Sequence, residues 1–185
     1  MLRIFHFIAI LGAALSISVL TGCKNYQLGH PTDLPFETIF VKPTANDGFA
    51  PQSQALISSA VRERILRDSR IKLISKEDSA DVVLYVTIVS YKRQIGTRDR
   101  DDTETALDYD IVLDTKISLY DQRSGEYLIK DRRISDRSTA YVGEPYAPPG
   151  GITETGSLTQ SEYQAMPRIA RDIGRKIADE VLSAW

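Results

Sequence analysis

A single cysteine and two histidines in 185 residues narrow the chemistry before any pattern is read. One cysteine excludes an intramolecular disulfide, even in an oxidising compartment that would permit it. The histidines are His6 and His30, both near the N-terminus. The rest of the chain therefore lacks the usual zinc ligands, and beyond Cys23 it has no cysteine nucleophile. No serine stands in a Gly-x-Ser-x-Gly context, and there is no phosphate-cradling glycine loop. Nor is there an excess of positive charge: 23 Lys+Arg against 25 Asp+Glu give a formal net charge of −2, which does not suit nucleic acid. Past the first 22 residues no apolar run approaches the length of a membrane span. These absences point away from an enzyme and away from a metal or other cofactor.

What is present begins at residue one. Met1-Leu2-Arg3 is a short n-region with one positive charge, and Ile4 to Leu20 is an apolar h-region. Leu20-Thr21-Gly22-Cys23 then has the form of a lipobox: an aliphatic residue, two small residues and the cysteine that takes a diacylglyceryl thioether. A transmembrane anchor with an incidental cysteine fits the length of the apolar run. It leaves unexplained why the one cysteine stands where a lipobox needs it. The expectation is a signal peptide over 1–22, lipidation at Cys23, and a tether over 23–36 broken by Gly29, Pro31 and Pro35. Palmitate-type acyl chains contribute about 0.8 kcal/mol per buried CH₂, so the lipid supplies the membrane anchor. Lys24 in place of an aspartate directs the protein to the outer membrane, with its domain on the periplasmic side.

A single α+β domain is expected over 37–185. Glu37 to Lys42 is a short strand stopped by Pro43, and Ala45-Asn46-Asp47-Gly48 is a turn. A helix opens near Pro51, with Leu56, Ile57, Ala60, Val61 and Ile65 on one side and Arg62, Glu63 and Arg67 on the other. Ile71 to Ser75 is a second short strand. Val82 to Ile95 is apolar at both parities at its start, as a strand covered on both faces must be. Residues 96–105 form a charged loop. From Leu107 to Leu119 apolar and polar residues alternate, the mark of a strand with one wet face. A turn at Arg123-Ser124-Gly125-Glu126 leads to a strand from Tyr127 to Ala140 whose poor alternation suggests a bulge or an edge. Residues 141–160 are a long Pro/Gly-rich loop. A closing helix carries Met166, Ile169, Ala170, Ile173, Ile177 and Val181 on one stripe, with Ser161 and Gln164 as a capping box and Pro167 marking a late start or a kink. This order predicts a mostly antiparallel sheet of four to five strands with two helices on one face.

Charge supplies the only candidate site. Lys92, Arg93, Arg98 and Arg100 run from one strand into its loop, and Lys130, Arg132, Arg133 and Arg137 lie on a later strand. Brought together by the meander, they form a cationic patch for phosphates or an acidic protein wall. The plainer reading is a mixed-charge surface neutralised by Asp99, Asp101, Asp131 and Asp136. Asp99, Asp101, Asp102 and Glu104 lack EF-hand spacing and read as a solvated loop tip rather than a calcium site. Asp108, Asp110 and Asp114 read as the wet face of a strand rather than as paired acid–base groups.

Several short runs resemble, in order, the lipopolysaccharide-assembly lipoprotein family, LptE type. They are Tyr26-Gln27-Leu28-Gly29, Ile39 to Pro43, Val61 to Asp68, Ile71 to Ile74, Ala80-Asp81-Val82-Val83-Leu84, Tyr109 to Asp121, Arg123-Ser124-Gly125-Glu126, and Ala170 to Ile177. Lys24-Asn25 adds one residue before the tyrosine, and the 141–160 loop matches nothing in the family. The resemblance implies a non-enzymatic lipoprotein that sits in the lumen of an LptD-type outer-membrane β-barrel, helps its assembly, and serves lipopolysaccharide insertion into the outer leaflet. Family basic residues touch lipopolysaccharide, but they align with no particular position here. A rival from another class is an outer-membrane lipoprotein that activates a peptidoglycan synthase. Such a protein generally needs a longer tether to cross the periplasm.

Overall fold

The computed structural model describes residues 34–100, 102–143 and 157–185, which fall in one unit spanning Thr32–Trp185. The signal, Cys23, most of the tether, Asp101 and the core of the 141–160 loop lie outside the described residues. The elements are β1 (Thr38–Val41), β2 (Ala45–Asn46), α1 (Ser53–Leu66), β3 (Lys72–Leu73), a 3₁₀ turn (Glu77–Ser79), β4 (Val82–Ile95), β5 (Asp108–Asp121), β6 (Glu126–Tyr141) and α2 (Leu158–Ser183).

The sheet runs β3-β1-β4-β5-β6, with β2 also paired to β4. The long meander is antiparallel, as expected, whereas β1–β3, β1–β4 and β2–β4 are parallel, so the sheet is mixed. The reason is the connection: α1 lies between β1 and β3 and carries the chain back, so the two strands start from the same end. Ala45-Asn46 is also a short strand rather than a free turn, and the Asp47 and Gly48 amides that follow it both donate to the Ile88 carbonyl at 2.9 Å.

Periodicity explains the layers. On β5, Ile111, Leu113, Ile117 and Leu119 are fully buried under the helices. The alternate positions Asp110, Val112, Asp114, Lys116 and Ser118 face outward. β4 starts with Val82, Val83 and Leu84 all buried, as the two-sided apolar pattern requires. A register shift between Ile88 and Ser90 then exchanges its parity, so Tyr91 and Arg93 share the helix side with Leu113 and Ile111. β6 has the expected irregularity, with shifts beside Asp131, whose φ is +52°.

β6 is also the sheet edge, and α2 blunts it. Lys176 Nζ donates to the Ser135 carbonyl (3.0 Å), Arg168 to the Thr139 carbonyl (3.2 Å), and the Ser161 hydroxyl to the Tyr141 carbonyl. Edge carbonyls that would accept a foreign strand are thereby occupied.

Two details of the helices differ from expectation. α1 begins at Ser53, after a left-handed Gln52 (φ +55°), so Pro51 precedes the helix instead of opening it. Arg62 is not on its free side but donates to the Val41 carbonyl (2.8 Å). α2 starts at Leu158 and runs through Pro167, with Ser157 at its N-cap and no side-chain cap there, so Ser161 and Gln164 do not form the capping box. Tertiary contacts outweigh the proline penalty: ahead of it, Glu162, Ala165 and Met166 are buried, and Ser161 is bonded to β6.

Candidate binding surface

The eight candidate cations separate into three groups. Arg93 and Arg132 turn to the helix side and pair with α2. Arg93 forms an ion pair with Glu162, and Arg132 Nε lies 3.0 Å from Glu180. Arg98 and Arg100 sit in the β4–β5 loop, where Arg98 donates to the Thr103 carbonyl at 2.7 Å. Lys92, Lys130, Arg133 and Arg137 lie on the helix-free face of the sheet.

Cross-strand register decides which of these meet. Lys92 pairs with Val112, and Val112 with Arg137, so the two cations flank one apolar residue on the same face, roughly 10 Å apart across two strand spacings. Arg133 pairs with Lys116 in a second row. Between the rows runs Ser90–Asp114–Ser135. Anions enter this surface too: Asp110 lies 3.8 Å from Arg137 and Asp131 lies 3.3 Å from Lys116. Among the described residues Lys92 and Arg133 have no ion-pair partner. Lys130 stands over the Tyr127 ring, 5.6 Å from its centroid. The face is thus a mixed-charge sheet with a local cationic excess, not one continuous basic patch.

The loop carboxylates serve the loop. Asp102 accepts from the Glu104 amide (3.1 Å) and the Thr105 hydroxyl (2.6 Å), and Asp99 accepts from the Asp102 amide (3.1 Å). Asp108 is buried and accepts from the Thr97 amide at 3.0 Å, which pins the loop base; it does not belong to the wet face.

Sequence reasoning missed the strongest polar cluster, Tyr91–Arg93–Glu162. Glu162 is buried; it accepts from the Tyr91 hydroxyl (2.7 Å) and holds Arg93 through both carboxylate oxygens. Its members are about 70 residues apart (|i−j| of 71 and 69), so no local spacing signals it. Burial and the Glu162 carboxylate push the Tyr91 phenol up to about 12. An unfolded tyrosine titrates near 10, so Tyr91 contributes stability that is fully present below about pH 10 and lost as pH rises towards about 12. Urea midpoints at about pH 9 and about pH 11 should therefore fall further for the native chain than for Tyr91→Phe. Equal losses would refute the assignment.

Two of the segments that resemble the LptE family, at Asp81 and Arg123, meet the start of β1 at the other end of the sheet. Asp81 Oδ2 accepts from the Glu37 and Thr38 amides, both at 2.9 Å, and Asp81 Oδ1 lies 2.8 Å from Arg123. The Thr38 hydroxyl answers by accepting from the Asp81 amide (2.8 Å). In the turn, Asp121 accepts from the Arg123 amide (2.8 Å) and the Ser124 hydroxyl (3.0 Å), and Gly125 takes φ +73°. The Ala-Asp and Arg-Ser-Gly-Glu motifs are therefore two halves of one clasp that fixes β1 and the meander in register. That role is architectural.

Comparison with known proteins agrees with this geometry. The model of the lipopolysaccharide-assembly family, LptE, matches residues 36–181. No curated protein sequence matches the chain. Among solved structures, lipoprotein B from Nitrosomonas europaea is similar with a TM-score of 0.53 and 16% identity, covering 86% of this chain and 92% of that one. A minor lipoprotein from Acinetobacter baumannii is similar with a TM-score of 0.50 and 10% identity, covering 82% and 94%. At such identities these likenesses speak for the fold, whereas the family match spans nearly the whole described domain, from Phe36 just ahead of β1 to Val181 in the last turn of α2. The chain belongs to the lipopolysaccharide-assembly family, LptE.

Proposed function

We propose that this protein is an outer-membrane lipoprotein, anchored through Cys23, that plugs an LptD-type β-barrel and assists its assembly for lipopolysaccharide insertion. The observation that carries the reading is the family match over residues 36–181. The dimensions suit it. Strands of 14 residues, such as β4 and β5, extend roughly 45 Å, longer than the apolar band of roughly 25 Å on an outer-membrane barrel. A barrel lumen is polar, and the helix-free face is polar and charged along most of its length. No helix among the described residues is long and apolar enough to cross a membrane; in this reading the lipid at Cys23 provides the attachment.

On that face Lys92 and Arg137 are the residues proposed to meet lipopolysaccharide phosphates or the barrel wall, with Arg133 and Lys130 further along β6. Arg98 and Arg100 would meet the partner at the loop end. Arg93 and Arg132 contribute indirectly by fastening α2 to the sheet. Gentle detergent extraction of the tagged protein from its own outer membrane should recover a stoichiometric LptD-type barrel. Lys92→Glu combined with Arg137→Glu should reduce that recovery or the lipopolysaccharide bound, by about tenfold if two exposed charge pairs of about 0–1 kcal/mol each are lost, with the unfolding midpoint little changed. Recovery of the protein alone, or with a peptidoglycan synthase, would overturn the proposal.

A further inference from the structure

We infer a second anion site, on the helical layer and on the opposite side of the protein from the sheet face: a cleft between α1 and α2 that takes a phosphate-bearing ligand. The cleft encloses about 220 Å³ and is lined by Ala60, Glu63, Arg64 and Arg67 of α1 and by Arg171 and Arg175 of α2. Its origin is the close approach of the two helices. A Cβ on Gly174 would fall 2.6 Å from the Ala60 Cβ and 2.9 Å from the Ala60 carbonyl carbon. With small residues at the crossing, the flanking long side chains stand up around a hollow instead of filling it.

Four guanidinium groups and one carboxylate line that hollow, with Asp172 and Asp179 at its rim, so it keeps a net positive charge although the whole chain is acidic. Every cation is an arginine. The planar fork donates two parallel hydrogen bonds to a phosphate, which lysine does not. The present pairings are easily exchanged. Arg67 pairs with Glu63, Arg64 lies 3.4 Å from Asp179, and Arg175 lies 3.0 Å from Asp172. All six side chains are exposed by more than 40%, and exposed pairs of this kind are worth about 0–1 kcal/mol. Arg171 has no ion-pair partner among the described residues. A multiply charged phosphate engaging Arg67 and Arg171 from opposite walls gains two charge-assisted contacts at little cost to the rim. The volume suits a phosphomonoester or diphosphate group rather than a whole lipid, and the ligand is either a free phosphate compound or a lipid headgroup presented by the membrane.

The test reads the thermal midpoint of the full chain in detergent micelles. The probes are inorganic pyrophosphate, micelles doped with phosphatidic acid, and micelles doped with phosphatidylcholine. At least one phosphate probe should raise the midpoint by about 5 °C near saturation, and phosphatidylcholine should not. Arg67→Ala with Arg171→Ala keeps the helices, since alanine is the best helix former, and should remove most of the rise. The two lysine replacements should retain part of it, and Lys72→Ala with Lys76→Ala, two exposed cations outside both proposed sites, should retain all of it. A response to pyrophosphate identifies a free-phosphate site; a response to phosphatidic acid alone identifies a headgroup site. No response to either, or an equal loss in the Lys72/Lys76 variant, overturns the inference. The site stands or falls independently of barrel binding, because none of these readouts involves the barrel.

Discussion

Replacing Gly174 with valine is expected to lower the unfolding free energy by about 3 kcal/mol, at the upper end of typical overpacking penalties. Gly174 is fully surrounded at the helix crossing, where an added Cβ would meet the Ala60 Cβ at 2.6 Å, the Ala60 carbonyl carbon at 2.9 Å and the Val61 nitrogen at 3.1 Å. Two of those neighbours are backbone of α1 and cannot rotate away, so relief requires the helices to separate. Separation in turn loosens Ile57, Val61, Ile173 and Ile177, all fully buried. Gly174→Ala makes the same first contact but regains about 1 kcal/mol of helix propensity, so its net cost should be smaller, about 1–2 kcal/mol. Urea unfolding with an unchanged slope and an ordered midpoint shift, valine greater than alanine, is the expected result. A neutral valine variant would mean that the crossing is looser than its geometry states. The same substitution should widen or fill the arginine cleft and so blunt the phosphate response.

Asp81→Ala should be the next most damaging change, at about 2–3 kcal/mol, because one carboxylate serves three partners. Its loss leaves the Glu37 and Thr38 amides without acceptors and Arg123 without its counter-ion. Burial by itself would raise the Asp81 carboxyl, but the Glu37 and Thr38 amides, the Thr38 hydroxyl and the Arg123 charge together hold it below the usual carboxylate range. The sign for stability follows. The unfolded state takes up the proton first, so the contribution of Asp81 is present above the ordinary aspartate range and is lost as pH falls through the lowered folded value. The native chain should lose stability on acidification more steeply than Asp81→Ala. Asp81→Asn, which keeps one acceptor oxygen without the charge, should fall between them in stability at neutral pH and share the shallower acid response of Asp81→Ala. In a double-mutant cycle Arg123→Ala should cost little more once Asp81 is gone. Full additivity of the two would show that the clasp does not act as a unit.

These two sites show why the recognisable residues are not the binding residues. Ala80-Asp81 and Arg123-Ser124-Gly125-Glu126 stand out in the sequence because turns and strand starts need particular residues at particular places. Their partners lie in different segments, as the 43-residue separation of Asp81 and Thr38 illustrates. A surface that meets a polar lumen or a phosphate has no such local signature, since any exposed arginine looks alike in one dimension. The eight cations singled out from sequence accordingly contained two, Arg93 and Arg132, that fasten α2 to the sheet. They did not contain the cleft arginines, whose meeting depends on how two helices separated by β3 to β6 cross.

The sequence by itself determined the covalent and one-dimensional facts: that residues 37–185 hold no cysteine and no histidine, and the expectation of a lipid at Cys23. It also determined the bounds of β4, β5 and β6 to within two residues, from the two-sided apolar start of β4, the period of two along β5 and the turn before β6. The tertiary structure alone decided the rest. It made β1, β2 and β3 parallel to their neighbours, since strands of two to four residues carry no record of direction. It carried α2 through Pro167, since burial of Met166 and the pairing of Glu162 outweigh one missing hydrogen bond. It exchanged the face of Arg93 through a bulge at Val89, because adding one residue to a strand reverses every side chain beyond it. Local pattern sets which faces are wet. Which charges then meet is a property of register and crossing, which only long-range packing can fix.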